Sequence, residues 1–170
     1  RAGHPKASTP VVTGDPQTTL LIQLSGSLGT AVDSALVAHD QVHQQGVIVL
    51  VPSEVVAQVP GFGAMPFGQA LTVGDPEAPR STLSDLVGVT VDGSWVLSPV
   101  AMESLIDRLG GVTVDVDRDV TATTASGVTD IVVPAGQQKL NGASAVAFAT
   151  FLASSEPEQS RLARFDAVLK

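Results

Sequence analysis

The 170-residue chain predicts a single α/β layered domain, a central mixed β-sheet flanked by helices. Three observations lead there. Short runs of Val, Ile, Leu and Thr alternate with stretches of helical spacing. Gly, Pro, Asn and Asp clusters separate those runs. The length suits one hydrophobic core, burying roughly two thirds of the unfolded surface.

Residues 1–16 are polar and rich in Pro, Gly and Thr, so they read as a linker or boundary remnant, with the domain expected over 17–170. Strands are expected over 18–24, 33–39 and 46–51. The turn Ser25-Gly26-Ser27-Leu28-Gly29 follows the first, and residues 40–45 close a hairpin between the other two. Val47-Ile48-Val49-Leu50-Val51 is apolar at every position, which predicts a central strand covered on both faces. Prolines and glycines from Pro52 to Pro66 predict a loop-rich segment. A short helix is expected over 80–87, stopped by Gly88, then a strand over 91–97 carrying Trp95. Ser98-Pro99 opens a helix with a hydroxyl cap and a proline in the first turn. Val100, Leu105, Ile106 and Leu109 are expected to form its apolar stripe, and Gly110 its left-handed stop. Residues 113–120 alternate apolar and polar, predicting a strand with one wet face. Residues 121–130 form a turn or β-excursion. Asn141 caps a helix to about residue 153, whose Ala143, Ala145, Ala147 and Ala149 permit close packing on the sheet. A last helix opens at Pro157 or Glu158, with Leu162, Phe165 and Leu169 lining one side.

The net charge of -8 disfavours nucleic acid and anionic lipid headgroups as partners, because a polyanion needs a basic patch. The absence of cysteine excludes disulfides and thiolate metal sites. No apolar run reaches the ~20 residues of a membrane span, and no leader-peptide pattern opens the sequence.

Two motifs stand out: Leu105-Ile106-Asp107-Arg108-Leu109-Gly110-Gly111-Val112-Thr113-Val114, and Val133-Pro134-Ala135-Gly136-Gln137-Gln138-Lys139-Leu140-Asn141-Gly142-Ala143-Ser144-Ala145. Taken in order they resemble the core of the LytR-CpsA-Psr family, and the resemblance runs from about Thr18 to Leu169. It implies that family's fold and an extracytoplasmic place in the bacterial cell envelope, with a membrane anchor expected upstream. It also implies a chemistry: transfer of a polyprenyl-diphosphate-linked glycan onto a cell-wall hydroxyl. Arginines would clamp the diphosphate, carboxylates would hold magnesium, and an apolar tunnel would take the lipid. Bidentate guanidinium donors and a divalent cation suit charge that accumulates on diphosphate oxygens.

The resemblance maps the site as follows. Asp33 stands at the aspartate of the family's Arg-Ser-Asp-Thr segment, without the arginine, and is the metal-ligand candidate. Pro52-Ser53-Glu54 replaces Pro-Arg-Asp and keeps a carboxylate at Glu54. Pro66-Phe67-Gly68 lies where Lys-Ile-Asn is expected, and Ser25-Gly26-Ser27 lacks an aspartate. Thr150 and Leu152 fill two arginine positions of Tyr-x-Arg-x-Arg. Arg161 and Arg164 remain, so the catalytic candidates are Asp33, Glu54, Arg161 and Arg164. Phe67, Trp95, Phe148, Phe151 and Leu152 are the lipid-binding candidates by position and size. Each serves equally well as ordinary core.

Losing one preorganised donor costs ~2.7 to 4 kcal/mol of transition-state stabilisation, so three or four absent arginines set a ceiling of about 10 kcal/mol. That rivals the lower end of a whole enzymatic acceleration. The expectation is therefore a non-catalytic or weakly active domain, binding a polyprenyl-type lipid or acting as a scaffold in wall assembly, with no cofactor. An active phosphotransferase is the alternative. It would require magnesium, Arg161 or Arg164 within reach of Asp33, and arginines such as Arg80 or Arg108 recruited from elsewhere. A protein–protein module of an envelope complex is the third reading.

Other clusters read as structure. His39 and His43 have zinc-like spacing but no third ligand nearby, so they are expected at the surface. Asp115, Asp117 and Asp119 would share one solvated strand face. Gly110-Gly111 follows a helix and precedes a strand, the reverse of a phosphate loop. No Gly-x-Ser-x-Gly elbow supports serine hydrolysis.

Overall fold

A computed structural model describes residues 17–170; the linker assigned to 1–16 lies outside the described residues. Strands β1 (Gln17–Ser25), β2 (Ala31–Asp40) and β3 (Gln45–Val51) form an antiparallel meander, and β6 (Gly93–Leu97) adds to β1 in parallel. The order β3-β2-β1-β6 is the mixed sheet the sequence predicts.

Register divides the core between the two faces, since successive side chains alternate. Leu21 lies opposite Leu36, and Ile22 opposite Ala35. Leu21, Leu36 and Val51 face a cluster made with Phe67, Leu83 and Val91. The 3-10 helix (Phe67–Thr72) and α1 (Ala78–Val87) supply Phe67 and Leu83. Leu24, Ala35 and Leu97 face the larger cluster under α2 (Pro99–Arg108), α3 (Gly142–Thr150) and α4 (Glu158–Leu169).

Local chemistry sets the helix ends. Ser98 accepts from the Ala101 backbone N–H at 3.2 Å, with Pro99 in the first turn. Asn141 accepts from the Ser144 N–H at 2.9 Å. Gly88 and Gly110 adopt left-handed backbone at φ 72° and 85°, which stops α1 and α2.

Several expectations are corrected. The Val47–Val51 run is an edge strand, not a central one, and Val47 and Val49 are 57% and 45% exposed. In α2, Met102 and Ile106 turn inward, while Val100 and Leu109 are exposed. The segment after Pro52 holds a hairpin of β4 (Val56–Val59) and β5 (Gly63–Pro66) as well as the 3-10 helix. The 113–120 strand divides into β7 (Val112–Val116), paired with β10 (Gly136–Leu140), and β8 (Val120–Thr123), paired with β9 (Thr129–Val133). Helix α3 ends at Thr150, because Phe151 is extended at φ -69° and ψ 131°. Its small residues let it pack against α2 and α4, not chiefly on the sheet. A Cβ at Gly142 would strike the backbone of Glu103.

Candidate functional site

Strand β2 carries Asp33 on the face covered by α4, and its side chain is fully buried. One turn into α4, Arg161 places Nε 3.0 Å from Asp33 Oδ1. Its Nη2 donates to the Val32 carbonyl at 2.7 Å and to Glu158 Oε1 at 3.0 Å. Glu158 Oε1 also accepts the Ser53 N–H at 2.8 Å, and Ser53 Oγ donates to the Val32 carbonyl at 2.8 Å. The cluster thus ties α4 to β2 and to the end of β3. Gly68 closes it from the other side, since a Cβ there would come within 2.5 Å of the Ala31 carbonyl oxygen.

Burial pushes the Asp33 carboxyl up to about 6, and the Arg161 guanidinium only partly offsets that. Its Oδ2 is buried without a hydrogen-bond partner among the described residues. Glu54, the other expected carboxylate, is exposed and stands outside these bonds. The second carboxylate bonded to Arg161 is Glu158, from α4.

The magnesium implied for an active relative does not fit this donor set. Asp33 Oδ1 and Glu158 Oε1 are both engaged by a cation, Arg161. Among the described residues, no three His, Cys, Asp or Glu side chains group as metal ligands.

Arg164 is on the same helix but points elsewhere and is 2% exposed at its side chain. Its Nε and Nη2 grip Asp117 at 2.9 and 2.6 Å in a bidentate pair. Nη1 and Nη2 reach Glu156 at 2.9 and 2.8 Å, and Nη1 also reaches the Phe151 carbonyl at 2.9 Å. The Phe151 ring lies 5.3 Å from the guanidinium. Arg118 adds a further bond to Glu156 at 2.9 Å. Hydrogen bonds from Arg164 hold the Asp117 and Glu156 carboxyls well below the usual range, and the same bonds raise Arg164. A cleft of about 350 Å³ runs beside this clamp, lined by Asp115, Asp117, Phe148, Ser160, Ala163 and Arg164 among others.

The structure therefore brings Asp33 and Arg161 together and leaves Glu54 and Arg164 apart from them. Arg80 pairs with Glu77 and bonds the Val91 carbonyl, and Arg108 lies exposed at the end of α2, so neither joins the cluster. The five apolar candidates separate as well. Phe67 and Phe148 are buried in clusters on opposite faces of the sheet. Phe151 is half-buried over Arg164, whereas Trp95 on edge strand β6 and Leu152 are exposed. Asp115, Asp117 and Asp119 are all exposed, as expected, but β7 ends at Val116, so only Asp115 lies on a strand, while Asp117 pairs with Arg164 and Asp119 accepts the Ala135 N–H. His43 meets Asp40 at the surface.

Ser53, Glu156 and Glu158 do not stand out as site residues in the sequence. Only Glu158 carries a local signal, lying one helical turn before Arg161.

The two sequence motifs are structural neighbours. Asp107 Oδ1 accepts the Gly142 N–H at 2.7 Å, joining the end of α2 to the start of α3. Gly111, at φ 90°, leaves no room for a side chain, since a Cβ would lie 2.6 Å from the Leu140 carbonyl oxygen.

A mixed sheet with helices on both faces, a motif bracing two of those helices, and a buried Asp–Arg–Glu cluster define one class of α/β domain. The chain belongs to the LytR_cpsA_psr family, whose model matches residues 15–170. Regulatory protein MsrR of Staphylococcus aureus is 25% identical over 79% of this chain and 40% of its own length. The probable cell wall biosynthesis protein LcpB of Corynebacterium glutamicum is 24% identical over 82% of this chain and 33% of its own. The chain thus spans well under half the length of these relatives. Among solved structures, Bacillus subtilis TagV superposes with a TM-score of 0.77 at 17% identity, covering 92% of this chain and 63% of that one. TagT, solved with octaprenyl pyrophosphate lipid bound, gives 0.72 at 19% identity over 95% of this chain and 65% of its own.

Proposed function

We propose that this protein is a non-catalytic LytR-CpsA-Psr domain of the cell envelope, which engages a polyprenyl-type lipid as a binding or scaffolding unit in wall-glycopolymer assembly. One observation carries the reading. Both arginines left at family positions direct their donors to the protein's own carboxylates and carbonyls. Holding a diphosphate would require breaking those bonds, and for the fully buried Asp33 the loss of its cation costs about 3 to 5 kcal/mol. The family membership supports the wall-assembly role, and the lipid bound to TagT supports the ligand class. An extracytoplasmic location rests on the same family.

One feature favours the alternative of an active transferase: Arg161 does reach Asp33. Incubation with a polyprenyl-diphosphate-linked glycan, magnesium and peptidoglycan separates the two. We expect no glycan transferred, together with a thermal shift on adding polyprenyl phosphate. Transfer that disappears in Asp33→Asn and Arg161→Lys would refute the non-catalytic reading. No thermal shift, with no lipid co-purified in native mass spectrometry, would remove the lipid-binding part.

A further inference from the structure

Asn141 is the only asparagine in the sequence, and glycine follows it. Asparagine is a thermolabile residue. A following glycine makes it most so, because no side chain shields the next backbone nitrogen from the asparagine amide. The side chain of Asn141 is exposed, so water has access.

The local geometry opposes the reaction that this dipeptide invites. Asn141 Oδ1 is turned forward to the Ser144 N–H at 2.9 Å, and its backbone carbonyl accepts from Ala145 at 2.9 Å. The Gly142 N–H, which would become the nucleophile, donates to Asp107 Oδ1 at 2.7 Å. Gly142 is buried, with the backbone of Glu103 filling the space a Cβ would take.

We propose that Asn141–Gly142 is a latent site of spontaneous deamidation and isoaspartate formation, and that Asp107 holds it closed. In the reaction the Gly142 nitrogen loses its proton to solvent base and attacks Asn141 Cγ. The bond from Cγ to the amide nitrogen Nδ2 breaks, ammonia leaves, and a cyclic imide forms. Water then opens either carbonyl of the imide, giving aspartate or isoaspartate. One water is consumed, one ammonia is released, and nothing is oxidised or reduced. Asp107 acts twice against this. Its carboxylate disfavours an anion on the adjacent nitrogen, and its hydrogen bond fixes the peptide that must rotate toward Cγ. Isoaspartate would add a methylene to the backbone at the cap and release the start of α3. That helix leads into Phe151, whose carbonyl and ring both meet Arg164.

The test is peptide mapping of the intact protein after incubation at mildly alkaline pH in water enriched in oxygen-18. Wild type, Asp107→Ala, Asp107→Asn and Asp119→Ala are compared. Asp119 is the control, because it accepts a backbone N–H at the same 2.7 Å but at Ala135. Removing a hydrogen bond to a charged acceptor predicts deamidation on the order of tenfold or more faster in Asp107→Ala, with label incorporated at residue 141. Asp107→Asn should fall between, and Asp119→Ala should match wild type. Equal rates in wild type and Asp107→Ala would overturn the proposal, as would equal acceleration by Asp119→Ala. Should Asp107→Ala not fold, wild type is compared folded and in urea: a slower folded rate supports protection, and equal rates end it.

Discussion

Asp33 and Glu156 each face an arginine, yet their protonation equilibria move in opposite directions. Asp33 is wholly enclosed, and loss of hydration outweighs the single bond from Arg161. Glu156 accepts from Arg164, Arg118 and the Ala153 N–H, and those bonds dominate. The consequences for stability differ in sign. The folded protein holds the Asp33 proton more tightly than the unfolded state does. Its contribution is therefore complete below 3.8 and is lost as the pH rises through about 6. The contribution of Glu156 is present above 4.5 and is lost as the pH falls below that value. Carboxyl NMR should show Asp33 titrating near 6, and Arg161→Met should raise the midpoint further. A midpoint that stays put would mean Arg161 does not act on that carboxyl. Little of these partnerships is legible in the sequence. Asp33 and Arg161 lie 128 residues apart, so only the family resemblance suggests that they meet. Glu54 follows a strand in the expected motif, but the backbone turns it outward and Glu158 reaches in from α4. Nothing local links Arg164 to Asp117, since their meeting depends on how α4 crosses β7.

Helix boundaries are the most legible elements, because caps and stops are encoded within a few residues. Ser98, Asn141, Gly88 and Gly110 all perform the expected part. Strand placement is less so. A run of apolar residues reports how hydrophobic a strand is, not how many neighbours it has, which is why β3 reads as central and lies at an edge. The hairpin after Pro52 is hidden by the Pro and Gly content of its own turns. Close helix contact is where the motif glycines matter most. Gly142→Ala should lower stability by about 2 kcal/mol or more through overpacking against Glu103. Ala143→Gly, one residue on and exposed, should cost about 0.5 to 1 kcal/mol. Urea denaturation of the two variants measures the contrast. Equal losses would show that α2 yields to accommodate the added methyl.

At the scale of the molecule, among the described residues the sheet ends at β3 and β6, and β3 is an uncharged edge with Val47 and Val49 in solvent. Such an edge invites pairing with another molecule. Val47→Lys should change stability by no more than about 0.5 kcal/mol and reduce light scattering at high concentration. A large stability loss would mean Val47 is covered in solution. The fold class is readable at this scale because alternation of element types survives local errors. The parallel partner of β1 is not, since it comes from residues 93–97. That pairing also governs how the polypeptide acquires its shape. During synthesis β1, β2 and β3 can zip together early, whereas β1 must wait for β6 and for the Asp92 carboxylate that binds Thr19, 73 positions earlier. Contacts so distant in sequence slow folding and leave one flank of a nascent sheet uncovered meanwhile. A nascent polypeptide halted before Gly93 should therefore be the form that chaperones hold longest.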